Sequence, residues 1–260
     1  MKKILKSIGI CIGLPLIVIA IMTVIQLIFM ITFDDLEKLK QFIFLPTFFA
    51  YVIFLPLYYS LSYVKGKRLL EQLDIKKIDK KEIVYIVLFG IGISFILSIL
   101  AGMLTLVFQG YSDISNMIEE SNNSLIQMLL MVILIPICEE LLFRGIIFTY
   151  LKNNYNIVLA VVLQALAFGV YHMNIVQGIY TFALGIALGL IYMYSESMIG
   201  CIILHMVYNL FGSLVIPTVM NGNIVISIGA IIISIALFIF SIIKMSNKYK
   251  EQLDKILYED

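Results

Sequence analysis

The sequence predicts an all-α, polytopic membrane protein of about eight transmembrane helices. Of its 260 residues, 62% are hydrophobic and only 13% are charged, which is outside the range of water-soluble globular proteins. The apolar residues form blocks of about the 20 residues that a spanning helix needs. The basic residues lie beside these blocks and not on a soluble domain, so no nucleic-acid partner is expected.

The first apolar block, Ile8 to Thr32, is too long for the h-region of a secretory signal peptide, which has about 7–15 residues. It is therefore predicted to be a retained helix. No block shows the alternating pattern of a membrane β-barrel, so helices are predicted throughout a single integral membrane domain, residues 1–260. The other predicted spans are about 41–64, 83–108, 125–151, 156–173, 176–194, 198–217 and 224–243.

The basic residues are distributed one-sidedly between these blocks. One side receives three lysines at the N-terminus, seven basic residues from Lys65 to Lys81, Lys152, and four lysines after the last block. The other side receives only Lys38 and Lys40, and its segment 109–124 has acids but no base. Cytoplasmic loops carry the excess of lysine and arginine, so both termini are predicted to be cytoplasmic. The Ile/Lys/Asn-rich composition suggests a bacterial cytoplasmic membrane.

Five ionisable residues fall inside predicted spans: Glu139, Glu140, Arg144, His172 and His205. A charge at the centre of a spanning helix costs about 2.5–3.5 kcal/mol, so these side chains are expected to face one another or a water-filled cavity. Glu140 and Arg144 are spaced i,i+4 and are expected to pair. Glu139 points about 100° away and has no local partner.

The helical rise places the polar residues of three spans at overlapping depths. At about 1.5 Å per residue from the cytoplasmic boundary, Glu139 lies about 16 Å deep, His172 about 22 Å, His205 about 10 Å and Asn209 about 16 Å. His205 and Asn209 share a helix face, as do Phe168 and His172. A carboxylate, two imidazoles and an amide are therefore predicted to meet in one buried pocket.

Three short motifs carry these residues in order along the chain. Residues 139–144 read EELLFR, residues 168–172 read FGVYH and residues 205–209 read HMVYN. They fit the patterns EExxxR, FxxxH and HxxxN. Over about residues 125–212, the chain thereby resembles the CAAX-protease and bacteriocin-processing family, also called CPBP or Abi, which includes the type II CAAX prenyl endopeptidases.

The resemblance implies an intramembrane protease, a hydrolase that cleaves a membrane-associated peptide or protein. By similarity, Glu139 is the catalytic base that activates water and His172 assists it. His205 and Asn209 polarise the scissile carbonyl and hold its oxyanion. The implied substrates are CAAX-type tails and bacteriocin or pheromone precursors, and a role in bacteriocin immunity is also implied. Three further residues, Glu140, Arg144 and Phe168, would support the site.

Metal dependence is left open by the sequence. Proteins of this family are commonly called metalloproteases, and Glu139, His172 and His205 could provide a Zn²⁺ site that leaves a fourth position for water. However, the ligands come singly from three helices and no HExxH motif is present. Zinc-dependent and metal-free glutamate chemistry are both consistent with these residues.

Three other interpretations of the buried polar residues remain. They could form a structural ion pair with two satisfied histidines, or a proton relay in a proton-coupled transporter. The chain could also be a non-catalytic family member that acts as a membrane partner or immunity protein. Gly185 and Gly189 form a GxxxG pattern, which fits either a homodimer or packing within one chain, so a monomer and a homodimer are both open.

Overall fold

The computed structural model of the chain is helical apart from two antiparallel strands of two residues each, β1 (Tyr63–Val64) and β2 (Lys67–Arg68). It describes residues 2–33, 42–61, 63–64, 67–68, 71, 73–108, 110–121 and 124–258. The helices are α1 (Lys3–Thr32), α2 (Leu45–Leu61), α3 (Lys80–Thr105), α4 (Ser112–Ser121), α5 (Leu125–Lys152), α6 (Ile157–Tyr171), α7 (Ile175–Ser195), α8 (Met198–Met220) and α9 (Ile224–Tyr258).

Six helices in the described part of the chain are long and apolar enough to cross a membrane: α1, α3, α5, α7, α8 and α9. Helices α2 and α6 are apolar but shorter. The predicted all-α, polytopic membrane class is therefore confirmed. The count of eight spans and the cytoplasmic position of the termini stay predictions, and the outer lysines at positions 38 and 40 lie outside the described residues.

The core of the bundle lies among the middle helices. Helix α6 packs along α7, and α3 packs against α7, α8 and α9. About half of α5 and of α7 is buried, whereas α1 and α9 are mostly exposed. Exposed residues such as Ile31 and Val225 are apolar, as expected for side chains that face lipid. The EExxxR motif therefore lies on one of the two best-covered spanning helices.

Three spanning helices contain a widened, π-helical turn that ends two residues before a proline. A proline has no backbone N–H, and its ring clashes with the carbonyl one turn earlier. A wider turn relieves that clash, and such turns are frequent at functional sites. A further π-helical stretch, Leu141–Phe148, follows Glu140. The three turns are Gly9–Gly13 before Pro15, Leu130–Leu134 before Pro136 and Phe211–Val215 before Pro217.

The glycines of the GxxxG pattern allow α7 to approach α6 closely. A Cβ atom at Gly185 would lie 2.8 Å from Cα of Ala165, and one at Gly189 would lie 3.0 Å from a methyl group of Val161. The glycines therefore pack within the chain, as one of the two interpretations predicted. The monomer and the homodimer both stay predictions.

One end of the bundle is held by ion pairs of lysine residues, and we call it the lysine end. Lys152 donates to Asp74 over 2.7 Å, and Tyr192 donates to the same carboxylate. Lys248 pairs with Glu82 over 2.6 Å. Lys3 and Lys76 also make their contacts at this end, with the Asn154 carbonyl and Glu196. Residues 73–79, between the strands and α3, are thereby tied to the ends of α5 and α7.

Substitution of Gly185 by alanine is expected to lower the free energy of unfolding by about 1–3 kcal/mol, because the new methyl group overlaps Ala165. The matched control is Gly229→Ala on α9, where an added Cβ meets nothing within 4 Å. Unfolding of both variants can be measured in the same detergent. Equal stability of the two variants would contradict the close α6–α7 contact.

Asp74→Asn is expected to lower stability in a pH-dependent way. Burial raises the pKa of Asp74, but hydrogen bonds from Lys152 and Tyr192 outweigh it and hold the pKa below its usual value. A lowered folded-state pKa gives stability that is present above the unfolded-state pKa and is lost as the pH falls through the folded-state pKa. The free energy of unfolding of the parent should therefore be higher than that of the variant by less than about 1 kcal/mol near neutral pH. In strong acid the two values should be equal. A difference that grows in acid would contradict this assignment.

Candidate active site

Four charged or ionisable side chains form a connected chain between α5 and α8. Arg144 Nη1 donates to Glu140 Oε1 over 3.0 Å, and His205 Nδ1 lies 2.8 Å from the same oxygen. His205 Nε2 lies 3.4 Å from Glu139 Oε2. Arg144 and Glu140 are fully buried, and Glu139 and His205 are nearly so. Adjacent glutamates of α5 therefore reach opposite nitrogens of one imidazole.

The four connected side chains have a net charge of zero only if the Glu139–His205 pair holds one additional proton. With Glu139 and Glu140 ionised, Arg144 charged and His205 neutral, the group carries one net negative charge. A single proton on either member of the Glu139–His205 pair makes it neutral, and a buried group without net charge avoids the largest desolvation cost. Because Nδ1 faces Glu140, the exchangeable proton belongs between Nε2 and Glu139.

Phe168 brings the two histidine rings to one aromatic centre. Its ring meets that of His172 edge-on at 5.0 Å between centroids and that of His205 at 5.6 Å. The Arg144 guanidinium lies over the same ring, 5.0 Å from its centroid. His172 follows the last residue of α6, and its Nδ1 lies 2.9 Å from the Phe168 carbonyl oxygen. This hydrogen bond fixes the ring and leaves Nε2 for other partners.

Asn209 lies one turn beyond His205 on α8 and contacts α5. Its amide nitrogen donates to the Met131 carbonyl over 2.8 Å. Met131 belongs to the π-helical turn before Pro136, where the regular hydrogen-bond pattern of the helix changes. Asn209 therefore ties α8 to the widened part of α5.

A cavity of about 610 Å³ connects these residues. Glu139, His172, His205 and Asn209 all line it, together with Phe168. The volume lies within the range of about 300–1,000 Å³ that is usual for ligand sites. The structure thus places all four of the predicted catalytic residues around one cavity. Glu140 and Arg144 lie behind the cavity wall and hold His205.

Glu139 contacts a different imidazole from the one that the resemblance assigned to it. His172 was expected to assist Glu139, but the described contacts pair Glu139 with His205, while His172 contacts the Phe168 backbone. The roles of both histidines stay predictions. The sequence could not distinguish the two rings, because helix spacing gives depth and not rotation about the helix axis.

A model of one protein family matches residues 121–211, and that family is described as type II CAAX prenyl endopeptidase, Rce1-like. The segment is Rce1-like. The resemblance predicted from the three motifs is therefore confirmed, and it supports an intramembrane protease. The match spans α5, α6 and α7 and most of α8, and every predicted site residue lies within the matched residues. No curated protein and no solved structure matches the chain.

The side chains of the Rce1-like segment do not form a ready metal site. Among the described residues, no three histidine, cysteine, aspartate or glutamate side chains lie close enough together to hold a metal ion. Glu139 and His205 are near each other, and Nδ1 of His205 and Nδ1 of His172 each have another partner, which leaves Nε2 of both rings. The Glu139, His172 and His205 zinc set stays a prediction.

Two polar residues near the site were not predicted from the sequence. Gln164 is fully buried on α6 and donates to the Gly185 carbonyl over 2.7 Å, an oxygen that Arg144 also approaches. Tyr171 lines the cavity and accepts a hydrogen bond from Tyr51 on α2 over 2.9 Å. A glutamine inside an apolar span was a usable signal for Gln164. A tyrosine within an apolar block gives no such signal.

Arg144→Met is expected to lower the free energy of unfolding by about 3–5 kcal/mol, because it leaves Glu140 buried without its cation. The control is Lys76→Met, which removes an exposed ion pair with Glu196 and should cost about 0–1 kcal/mol. Adding Glu140→Gln to Arg144→Met should recover part of the loss, since the uncompensated charge is then gone. Unfolding in detergent measures all three variants. A cost for Arg144→Met no larger than that for Lys76→Met would contradict the buried pair.

Proposed function

We propose that the protein is an intramembrane endopeptidase in which Glu139 activates a water molecule for attack on a peptide bond. The observation that carries this proposal is the Glu139–His205 pair on the wall of a cavity within the Rce1-like segment. A carboxylate that faces a cavity and has only one distant partner can accept a proton from water. Glu140 is already used by Arg144 and His205, so Glu139 is the carboxylate left for chemistry.

In the proposed reaction, the water oxygen attacks the scissile carbonyl carbon and its proton passes to Glu139. The carbonyl oxygen becomes an oxyanion, to which the Nε2–H of His205 and the second N–H of the Asn209 amide donate. When the tetrahedral intermediate collapses, the C–N bond breaks and the proton on Glu139 passes to the leaving amine. Glu140 accepts a hydrogen bond from the Nδ1–H of His205, so the Nε2–H that donates to the oxyanion belongs to a His205 ring that carries both protons while Glu139 is ionised.

His172 is proposed to position the substrate or the water from the opposite wall. Its ring is fixed by the Phe168 carbonyl and by the edge-on contact with the Phe168 ring. Nε2 of His172 then faces the cavity as a donor or an acceptor according to its proton. This role differs from direct assistance to Glu139, because the described contacts of Glu139 are with His205.

The wall behind Glu139 favours hydrolysis in a closed-ended cavity over conduction through the bundle. A proton or ion pathway needs polar groups or water on both sides of the midplane. Next to Glu139 on the lysine side, the described residues Arg144 and Phe143 are fully buried and do not line the cavity. The described part of the cavity therefore ends before these two residues.

Glu139→Gln is expected to lower the rate of peptide cleavage by at least about 100-fold, because the amide cannot accept the proton of water. The matched control is Glu196→Gln at the lysine end, which should cleave at the parental rate. The parent and both variants are reconstituted in liposomes with prenylated CAAX-type peptides and with unprenylated hydrophobic leader peptides, and products are identified by mass spectrometry.

Two results would contradict the proposal. One is an absence of cleavage by the parent across both peptide sets, and the other is cleavage by Glu139→Gln at the parental rate. Elemental analysis of the same preparations tests the metal question separately. Zinc bound in a one-to-one ratio and lost together with activity would replace the metal-free scheme with a zinc-dependent one.

A further inference from the structure

The cavity lies in one half of the bundle, on the side away from the lysine end. Helix α5 runs toward the lysine end, and its described lining residues are Met131, Ile135 and Glu139, all before Glu140. Helix α8 runs the opposite way, and its lining residues extend from His205 to Pro217. Both helices therefore contribute only the half that is remote from the lysines.

The other helices around the cavity follow the same rule. Helix α3 begins at the lysine end with Lys80, and it lines the cavity only from Ser98 to Thr105. Helix α7 ends at the lysine end, and it lines the cavity only from Gln177 to Leu184. This agreement among antiparallel helices shows that the cavity extends from the midplane toward one face.

The mouth of the cavity lies at the face of the bundle opposite the lysine end. We define the mouth by Ser115, Glu119 and Met173. Ser115 and Glu119 belong to α4, and Met173 lies in the turn between α6 and α7. Met173 is 72% exposed, whereas Glu139 at the inner end is 6% exposed. The exposure thus rises from the catalytic pair toward the mouth.

The lysine end offers no equivalent entrance among the described residues. Arg144, Glu140 and Phe143 are fully buried between the cavity and that end. Beyond them, Asp74 accepts hydrogen bonds from Lys152 and Tyr192, and the separate pocket of about 220 Å³ that these three residues line includes none of the predicted site residues. A peptide that approached from the lysine end would have to break these pairs.

The wall of the cavity has the chemistry of a site for a hydrophobic peptide. The hydroxyl groups of Tyr111 and Tyr180 lie 3.2 Å apart, and the rings of Tyr180 and Tyr208 lie 6.5 Å apart between centroids. Met131 and Leu184 are the apolar neighbours on this wall. Tyrosine offers a flat apolar surface together with a polar hydroxyl, which suits a peptide whose backbone needs hydrogen bonds.

The lysine distribution assigns the mouth to a side of the membrane. Cytoplasmic ends carry the excess of lysine and arginine, and the sequence segments predicted on the side of the lysine end have 15 of the 17 basic residues outside the spans. We infer that the cavity opens to the extracytoplasmic face and takes a hydrophobic peptide that has been exported or is anchored on that face, not a cytoplasmic prenylated tail. Cleavage of that peptide rests on the proposed function. An export step must therefore supply the substrate.

The side of the mouth can be tested with introduced cysteines and a membrane-impermeant maleimide. Cys11 and Cys138 are first replaced by alanine, and the buried Cys201 is kept. Ser115→Cys reports the mouth, and Glu196→Cys, which is exposed at the lysine end, is the matched control. Ser115→Cys should label in intact cells, and Glu196→Cys only after the membrane is permeabilised. Labelling of Ser115→Cys only after permeabilisation, or not at all, would overturn the inference.

A second arm tests substrate entry in right-side-out vesicles. Their outer face carries an intact hydrophobic peptide that the unmodified protein cleaves. Modification of Ser115→Cys by a bulky maleimide from outside should cause loss of cleavage relative to the same protein before modification. The same reagent should leave the Glu196→Cys protein active. Full cleavage after modification at position 115 would also overturn the inference.

The two proposals fail in different ways. Maleimide labelling does not require any enzymatic activity, so it reports the side of the mouth even if Glu139→Gln cleaves like the parent. A mouth that labels from the cytoplasm would overturn the extracytoplasmic route and leave Glu139-dependent cleavage standing. The absence of cleavage by the parent would remove the proposed function and leave the labelling result unchanged.

Discussion

The cost of burying charge in an apolar bundle is the constraint on which the rest of this structure depends. Arg144 and Glu140 have no exposed surface, and each ion loses several kcal/mol of hydration when it is buried. The guanidinium of Arg144 recovers part of the lost hydration free energy through its contacts with Glu140, the Phe168 ring and the Gly185 carbonyl. These contacts join α5 to α6 and α7, and His205 adds α8 through the same carboxylate. The ionic centre therefore sets how four helices are rotated against one another.

The same constraint separates the two adjacent glutamates into different environments. Glu140 has a cation and an imidazole donor on one oxygen, so its negative charge is compensated inside the protein. Among the described residues, the printed polar contact of Glu139 is the imidazole of His205 at 3.4 Å, and Glu139 also lines the cavity. A carboxylate in this position responds to what enters the cavity, whereas its neighbour maintains the scaffold. One helical step of about 100° is enough to produce that difference.

Much of the fold could be predicted from the sequence because lipid requires long apolar helices. The predicted spans 125–151 and 176–194 agree within about two residues with α5 and α7. The Glu140–Arg144 pair was also predictable, because i,i+4 spacing places both side chains on one helix face. The pairing of Glu139 with His205 was not predictable. It depends on helix rotation, and the π-helical turns around Pro136 and after Asn209 change that rotation in a way that spacing arithmetic on a regular helix misses.

The division of the bundle into a locked end and an open end follows from where ion pairs can form at low cost. At the lysine end, Lys152 and Lys248 are partly exposed, so their pairs with Asp74 and Glu82 retain some hydration and hold the helix ends together. The opposite end has few bases with which its acids could pair. Next to α4, Tyr111 contacts Tyr180 of α7 through its hydroxyl group and its ring, and a peptide can replace this contact with one of the same kind. A cavity at that end costs less stability than one at the lysine end, which is consistent with an active site that is reached from one side only.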